Sequence, residues 1–502
     1  MELALEENLQ HAFENVFHTV LLREETMEAI VPDACPDILR LLDTAVTVEL
    51  SGKQVRSGHA EISAAAVLEI LYLPEGGGSV QRLTMNIPFR VTAESPALTE
   101  ESRVTTELSV RRQEVRTLHS RKVLARLEIC LRLDAWEKRE RNIPCRLAPG
   151  APPSVQLLTA EGETTAVTGV EEKAFTFSDT LELPSDLTDA ALMTSQVSLS
   201  CGEARVLGSK LVVKGEARLS FLLLDREGAL REQSFQLPFS QVLDCVGVEE
   251  EALCSVLLTL THADFRLNGG RIDAELGVLL QAVLRESRSV TYLTDLYSTE
   301  GIVTPQTETL TQTRLLEHGT RRQPVREVLE TGTAVSAVLA VRVRLGGGPE
   351  QRYSEGMLSL PAEISVLYRD GNGGLGMAER TMSVMLPLEL PEDAVCQAEA
   401  CLEAPALAAA VSGGLEVRFA VVFTLRSEQT VPTPCIVGAA LSEEEEPAER
   451  RPSLVLRRAP AGQRLWDVAK SCGSTVGAIC AANGIEGDTL AEDRLLLIPR
   501  CR

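Results

Sequence analysis

The residues most able to do chemistry fall into four short clusters. Asp33 and Asp37 flank Cys35 beside Pro32 and Pro36, and two carboxylates so close in sequence could serve as an acid–base pair. The prolines restrict the local backbone, however, and Asp37 stands where it would cap a helix over Ile38–Leu42. That spacing predicts a structural turn-and-cap, with an interface as the remaining use. His262-Ala263-Asp264 places two polar residues on one face of a strand, and the six histidines of the chain are otherwise scattered. Such a pattern reads as a surface pair and not as a metal site. Gly371-Asn372-Gly373-Gly374-Leu375-Gly376 fits G-x-G-x-x-G by letter. A dinucleotide site needs that loop to open a helix, whereas Thr381–Leu388 alternates like a strand, so a hairpin loop is expected. Cys396 and Cys401 have no second pair elsewhere, which predicts buried or loop thiols. No G-x-x-x-x-G-K-[ST] loop occurs. The expectation is a protein that is not an enzyme, with no catalytic residues, no metal and no cofactor.

The elements that carry these clusters belong to a chain of 502 residues, long enough for several domains. Hydrophobic residues make up 44% and charged residues 24%, which is ordinary for a folded protein with buried cores. Aromatics are only 4% and the net charge is -23, from 49 Lys+Arg against 72 Asp+Glu. Few rings to stack on bases and a field that repels phosphates together exclude nucleic acid as a partner. The twelve cysteines form no C-x-x-C pair and mostly sit in apolar runs, as Cys130 does within Leu127–Leu133. MELALEENLQ lacks the basic start and apolar core of a secretory signal. The most apolar stretch, Ala404–Leu425, is broken by Ser412-Gly413-Gly414, Glu416 and Arg418, so no transmembrane segment is expected. A cytoplasmic protein with reduced thiols is the economical expectation.

Internal repetition organises most of the chain. Ile87-Pro88-Phe89, Leu237-Pro238-Phe239 and Leu386-Pro387-Leu388 recur at intervals of 150 and 149 residues. Each follows a strand-like run and a Gly-rich or charged turn. Further on in each unit comes a run of strict alternation: Val123 to Leu133, Ile272 to Leu284, and Val417 to Leu425. Period-two alternation marks half-buried antiparallel strands. The openings agree less well: Val31-Pro32-Asp33-Ala34-Cys35-Pro36-Asp37-Ile38-Leu39 matches Leu183-Pro184-Ser185-Asp186-Leu187-Thr188-Asp189, while the third, near Val325–Leu329, lacks the prolines. The expected fold class is mainly β, with three tandem sandwich- or barrel-like domains over 1–150, 155–305 and 306–440. Joins are expected near Ala148–Ser154 and Val303–Gln312. The helical spacing of Leu9, Phe13, Val16, Phe17 and Val20 adds an N-terminal helix.

After these units, 441–453 reads as an acidic linker. The remainder, 454–502, is patterned differently. Leu454-Val455-Leu456 gives a strand, and Leu465, Val468 and Ala469 give one face of a helix. Thr475 caps a second helix that stops at Asn483-Gly484, and Leu495–Ile498 closes a βααβ module small enough to be a binding unit.

That module resembles LysM. The carrying residues are Gly462, Leu465-Trp466-Asp467-Val468-Ala469, the Thr475–Ile479 helix start, Ala482-Asn483-Gly484 and Leu496-Leu497-Ile498-Pro499. The resemblance implies a shallow groove for N-acetylglucosamine polymers such as peptidoglycan. Its walls would be Gly462, Gln463, Arg464, Leu465 and Trp466 on one side, and Asn483, Gly484, Ile485, Glu486 and Gly487 on the other. Gln463-Arg464 and Glu492-Asp493-Arg494 replace the small polar residues usual in that family, which turns the expectation toward a protein ligand. The tandem units resemble the SPOCS domains of spore-coat assembly proteins from endospore-forming Firmicutes, on the segment Val31–Leu39 with Pro32, Asp33, Pro36 and Asp37 as its signature. This second resemblance implies a non-catalytic scaffold or adaptor in the mother-cell cytosol at the forespore surface. Its LysM module would contact a morphogenetic partner protein of the spore coat or peptidoglycan. The alternative it leaves is a wall-associated peptidoglycan binder.

Overall fold

A computed structural model describes residues 1–347, 351–443 and 453–500. The first strands are β1 (Leu5–Ile30), β2 (Ile38–Arg56), β3 (His59–Pro74), β4 (Gln81–Glu94), β5 (Arg103–His119) and β6 (Lys122–Leu147). Next come β7 (Val155–Glu182), β8 (Ala191–Leu207), β9 (Lys210–Leu224), β10 (Leu230–Asp244), β11 (Leu253–Asn268) and β12 (Arg271–Ser298), with a 3-10 turn at Ser185–Leu187. They are followed by β13 (Gly301–Glu330), β14 (Val335–Leu345), β15 (Arg352–Ser354) and β16 (Met357–Asp370). The β-rich part ends with β17 (Leu375–Pro387), β18 (Ala394–Leu402), β19 (Leu407–Val411) and β20 (Gly414–Glu443). The chain closes with β21 (Leu454–Ala459), α1 (Leu465–Cys472), α2 (Val476–Asn483) and β22 (Arg494–Pro499). The fold is mainly β.

Long antiparallel pairs form its frame: β1 with β6, β7 with β12, and β13 with β20. β5, β11 and β18 add a further strand to each. The first two pairs join edge to edge through Phe13 opposite Val167, making the sheet β11-β12-β7-β1-β6-β5. Smaller sheets, β2-β3-β4, β8-β9-β10 and β14-β16-β17, lie against them. The alternating runs supply the contact. Val123, Ala125, Leu127, Ile129, Leu131 and Leu133 are buried against Ile62, Ala64, Ala66, Leu68 and Ile70 of β3. Ile272, Ala274 and Leu276 meet Ala217, Leu219, Phe221 and Leu223. Val417, Val421, Phe423 and Leu425 meet Leu358, Leu360, Ile364 and Val366. A period of two leaves every second side chain on the core face, where each large aliphatic contributes roughly 1.5–3 kcal/mol.

Several local expectations are corrected. The N-terminal helix is instead the strand β1, paired with β6 along its whole length. Val16 is an extra residue between Asn15, opposite Trp136, and Phe17, opposite Ala135. One inserted residue turns a spacing of two into a spacing that mimics a helical stripe. The helix over Ile38–Leu42 is likewise the start of β2, so Asp37 caps nothing. Val303–Gln312 lies inside β13, and the chain turns earlier, between Ser298 and Gly301. Leu441 and Ser442 of the expected linker still pair with Val303 and Ile302. Residues 444–452, the rest of the acidic run with Arg450 and Arg451, lie outside the described residues.

Long pairs carry bulges at two levels. Beside Val16, register breaks fall between Leu284 and Arg285 opposite β7 and between Leu315 and Glu317 in β13. A second set skips Cys145 of β6, Thr294 of β12 and Val437 of β20. Where the pairs approach one another, a cavity of about 490 Å³ is lined by Phe13, Trp136, Arg285, Gln312, Arg426 and Glu428, among others. No helix among the described residues is long and apolar enough to cross a membrane.

Candidate binding site in the C-terminal module

β21 and β22 pair antiparallel from Leu454 opposite Pro499 to Ala459 opposite Arg494, and the two helices pack on them. Thr475 caps α2, its Oγ1 accepting from Ala478 N at 3.1 Å. Gly473 and Gly484 end α1 and α2 in the left-handed conformation that favours glycine. Leu465, Val468, Ala469, Ile479, Leu490, Leu496 and Ile498 make the core.

The expected groove residues divide into three groups. Gly462, Arg464, Gly484, Glu486 and Gly487 are exposed, whereas Gln463 and Ile485 are half-buried. Backbone bonds sew the first loop to the segment before β22: Gly462 N donates to Leu490 O at 2.8 Å, and Leu465 N to Asp488 O at 2.8 Å. Asn483 is a structural residue. Its Nδ2 donates to Ile479 O at 2.8 Å and Leu497 O at 2.7 Å, while Oδ1 accepts from Leu497 N at 2.8 Å. Leu465 and Trp466 are buried. They form core here and do not line an open groove.

Trp466 faces another part of the chain. Its Nε1 donates to Asp295 Oδ2 at 2.7 Å, and Lys470 Nζ donates to the same carboxylate at 2.7 and 2.9 Å. Tyr297 meets the indole edge-on with ring centroids 4.8 Å apart, and its hydroxyl donates to Ser474 O at 2.8 Å. Burial pushes the Asp295 carboxyl up, but the bonds from Lys470 and Trp466 outweigh it and hold the group below its ordinary value. This contact therefore adds stability above the ordinary aspartate pKa and loses it as pH falls through the depressed one. Sequence reasoning missed Asp295, Tyr297 and Lys470. A tyrosine in a chain so poor in aromatics, two residues from an aspartate, was the available signal.

The segment Val31–Asp37 forms a second constructed feature. Val31, Pro32, Asp33, Cys35 and Asp37 surround the guanidinium of Arg121, from the turn between β5 and β6, whereas Pro36 bonds elsewhere. Arg121 Nη2 donates to Val31 O at 3.0 Å, Pro32 O at 3.1 Å and Asp33 Oδ1 at 3.4 Å. Nη1 reaches Asp37 Oδ1 at 2.5 Å and Cys35 O at 3.4 Å. Ser120 Oγ donates to Asp37 Oδ2, and Tyr72 Oη to Pro36 O, both at 3.1 Å. The Arg121 guanidinium, helped by Ser120, holds the Asp37 carboxyl below its usual range. A carboxylate so held is a poor base. The cluster ties a loop to a hairpin. Arg121→Ala is expected to speed proteolysis and amide exchange across Val31–Asp37 while leaving β3 and β6 protected. Unchanged exchange in that loop would contradict the clamp.

The remaining clusters are a turn, exposed or half-exposed strand residues, and two half-buried thiols on β18. Gly371–Gly374 forms the turn between β16 and β17, with Asp370 Oδ1 accepting from Asn372 N and Gly374 N, both at 2.8 Å. Strand follows where a dinucleotide site would need a helix. His262 Nε2 lies 3.4 Å from Glu275 Oε1, and Asp264 pairs with Arg266. Burial pushes the thiols of Cys396 and Cys401 up. Among the described residues, no group of three His, Cys, Asp or Glu is placed to hold a metal ion, and no disulfide joins the cysteines. In comparisons with known proteins, no family model, no curated protein and no solved structure matches this chain.

Proposed function

We propose that the chain is a non-catalytic scaffold of spore-coat or spore-envelope assembly, with three SPOCS-like units and a LysM-like terminal module. The observation that carries this reading is the recurrence of one plan. Three long strand pairs each bear two bulges at corresponding places, and each faces a smaller sheet. Such repetition multiplies interaction surface without preparing a reaction centre. The exposed loops around Gly462, Arg464, Glu486 and Gly487 would meet a morphogenetic partner protein. Arg464 and Glu486 offer charges of both signs, which suit a protein surface better than an uncharged glycan.

Localisation in sporulating cells tests the proposal. A fluorescently tagged chain ending at Ser442 is expected to fold but to lose its concentration at the forespore surface. Normal localisation of that truncated chain overturns the reading. Peptidoglycan sedimentation of the full chain separates the alternative: saturable retention on purified sacculi would make this a wall-binding protein.

A further inference from the structure

We propose that Asp295 and Tyr297 of β12 form a resident ligand of the C-terminal module, latching it to the β7–β12 pair through the face made by Trp466, Lys470 and Ser474. The bulge at Thr294 makes the latch. In an unbroken strand Leu293, Asp295 and Tyr297 would share one face. The skipped residue puts Leu293 and Leu296 on one side, within a cluster that includes Val155 and Ile436. Tyr297 then joins the module core on the other side, beside Leu465 and Trp466, and Asp295 reaches the indole and the ammonium.

This arrangement is specific to one strand. Arg146 of β6 and Gly438 of β20 follow the corresponding bulges at Cys145 and Val437. An arginine there would repel Lys470, and a glycine has nothing to offer the indole N–H. Charge complementarity and an aromatic contact thus converge on β12. A consequence rests on the proposed function: a protein partner can use the exposed Gly462–Arg464 and Glu486–Gly487 loops directly, but must displace Asp295 to read the Trp466 face.

The two tryptophans of the chain, Trp136 and Trp466, give two indole N–H resonances, which makes the latch observable in the intact protein without a partner. Asp295→Ala is expected to shift the Trp466 resonance and speed its solvent exchange about tenfold or more, the loss of one hydrogen bond to a charged group. Trp136 should not move. Asp295→Asn keeps an acceptor for the indole but loses the ion pair, so it should fall between. Lys470→Ala, on the surface of the module, tests the same latch without touching β12. Unchanged exchange at Trp466 in both Asp295→Ala and Lys470→Ala overturns the proposal. Failure of localisation would leave this measurement unaffected.

Discussion

Arg342→Ala is expected to destabilise the folded chain by about 3–5 kcal/mol, the cost of leaving a buried charge without its counter-ion. Arg342 on β14 pairs with Asp43 on β2, and their side chains are 10% and 1% exposed. Its Nη1 also donates to Thr44 O at 3.3 Å. Burial pushes the Arg342 pKa down to about 10, so the guanidinium is charged at neutral pH. Without it, the Asp43 carboxylate keeps the Thr44 amide, at 2.8 Å, as a donor but has no cation. The pair links residues almost 300 apart, so its loss loosens the attachment of the third strand set to the first. Chemical denaturation of the full chain reads the effect. Combining Asp43→Asn with Arg342→Met removes both charges and should recover most of the loss, because a buried ion pair contributes little beyond an apolar replacement. A wild-type denaturation midpoint for Arg342→Ala would show that the pair does not hold the sets together.

Trp466→Ala should be equally severe but local. Deleting a buried tryptophan costs roughly 3–5 kcal/mol in a packed core, and the indole sits among Leu465, Tyr297 and Ile479. So short a module has little stability to spare. Amide exchange is therefore expected to show α1 and α2 losing protection while β3, β6 and β20 keep theirs. Trp466→Phe retains most of the packing and loses only the bond to Asp295, so its helices should stay protected. Protection of both helices in Trp466→Ala would mean that the module does not depend on this side chain. If the module is the docking element, Trp466→Ala should also reproduce the localisation defect of the chain ending at Ser442.

What was legible in the sequence followed local periodicity. Val123 to Leu133, Ile272 to Leu284 and Val417 to Leu425 lie on β6, β12 and β20, where their alternation predicted strands. The βααβ order after residue 453 was legible for a related reason: caps, glycine stops and short apolar stripes act within a few residues. Bulges were not legible, because an inserted residue is defined only by the strand opposite. Val16 therefore counterfeited a helix, and Thr294 gave no sign that it turns Asp295 outward.

The sequence by itself determined which residues prefer strand or helix and which side of each strand is apolar, since steric preference and hydrophobic alternation are carried within short segments. Only the tertiary structure decided what the chemically suggestive residues do. Asp37 answers to Arg121, 84 residues away, and Trp466 to Asp295, 171 residues away. A carboxylate takes its role from the cation that folding brings to it, and an indole is core or surface according to what covers it. Neither circumstance is written within the reach of local sequence.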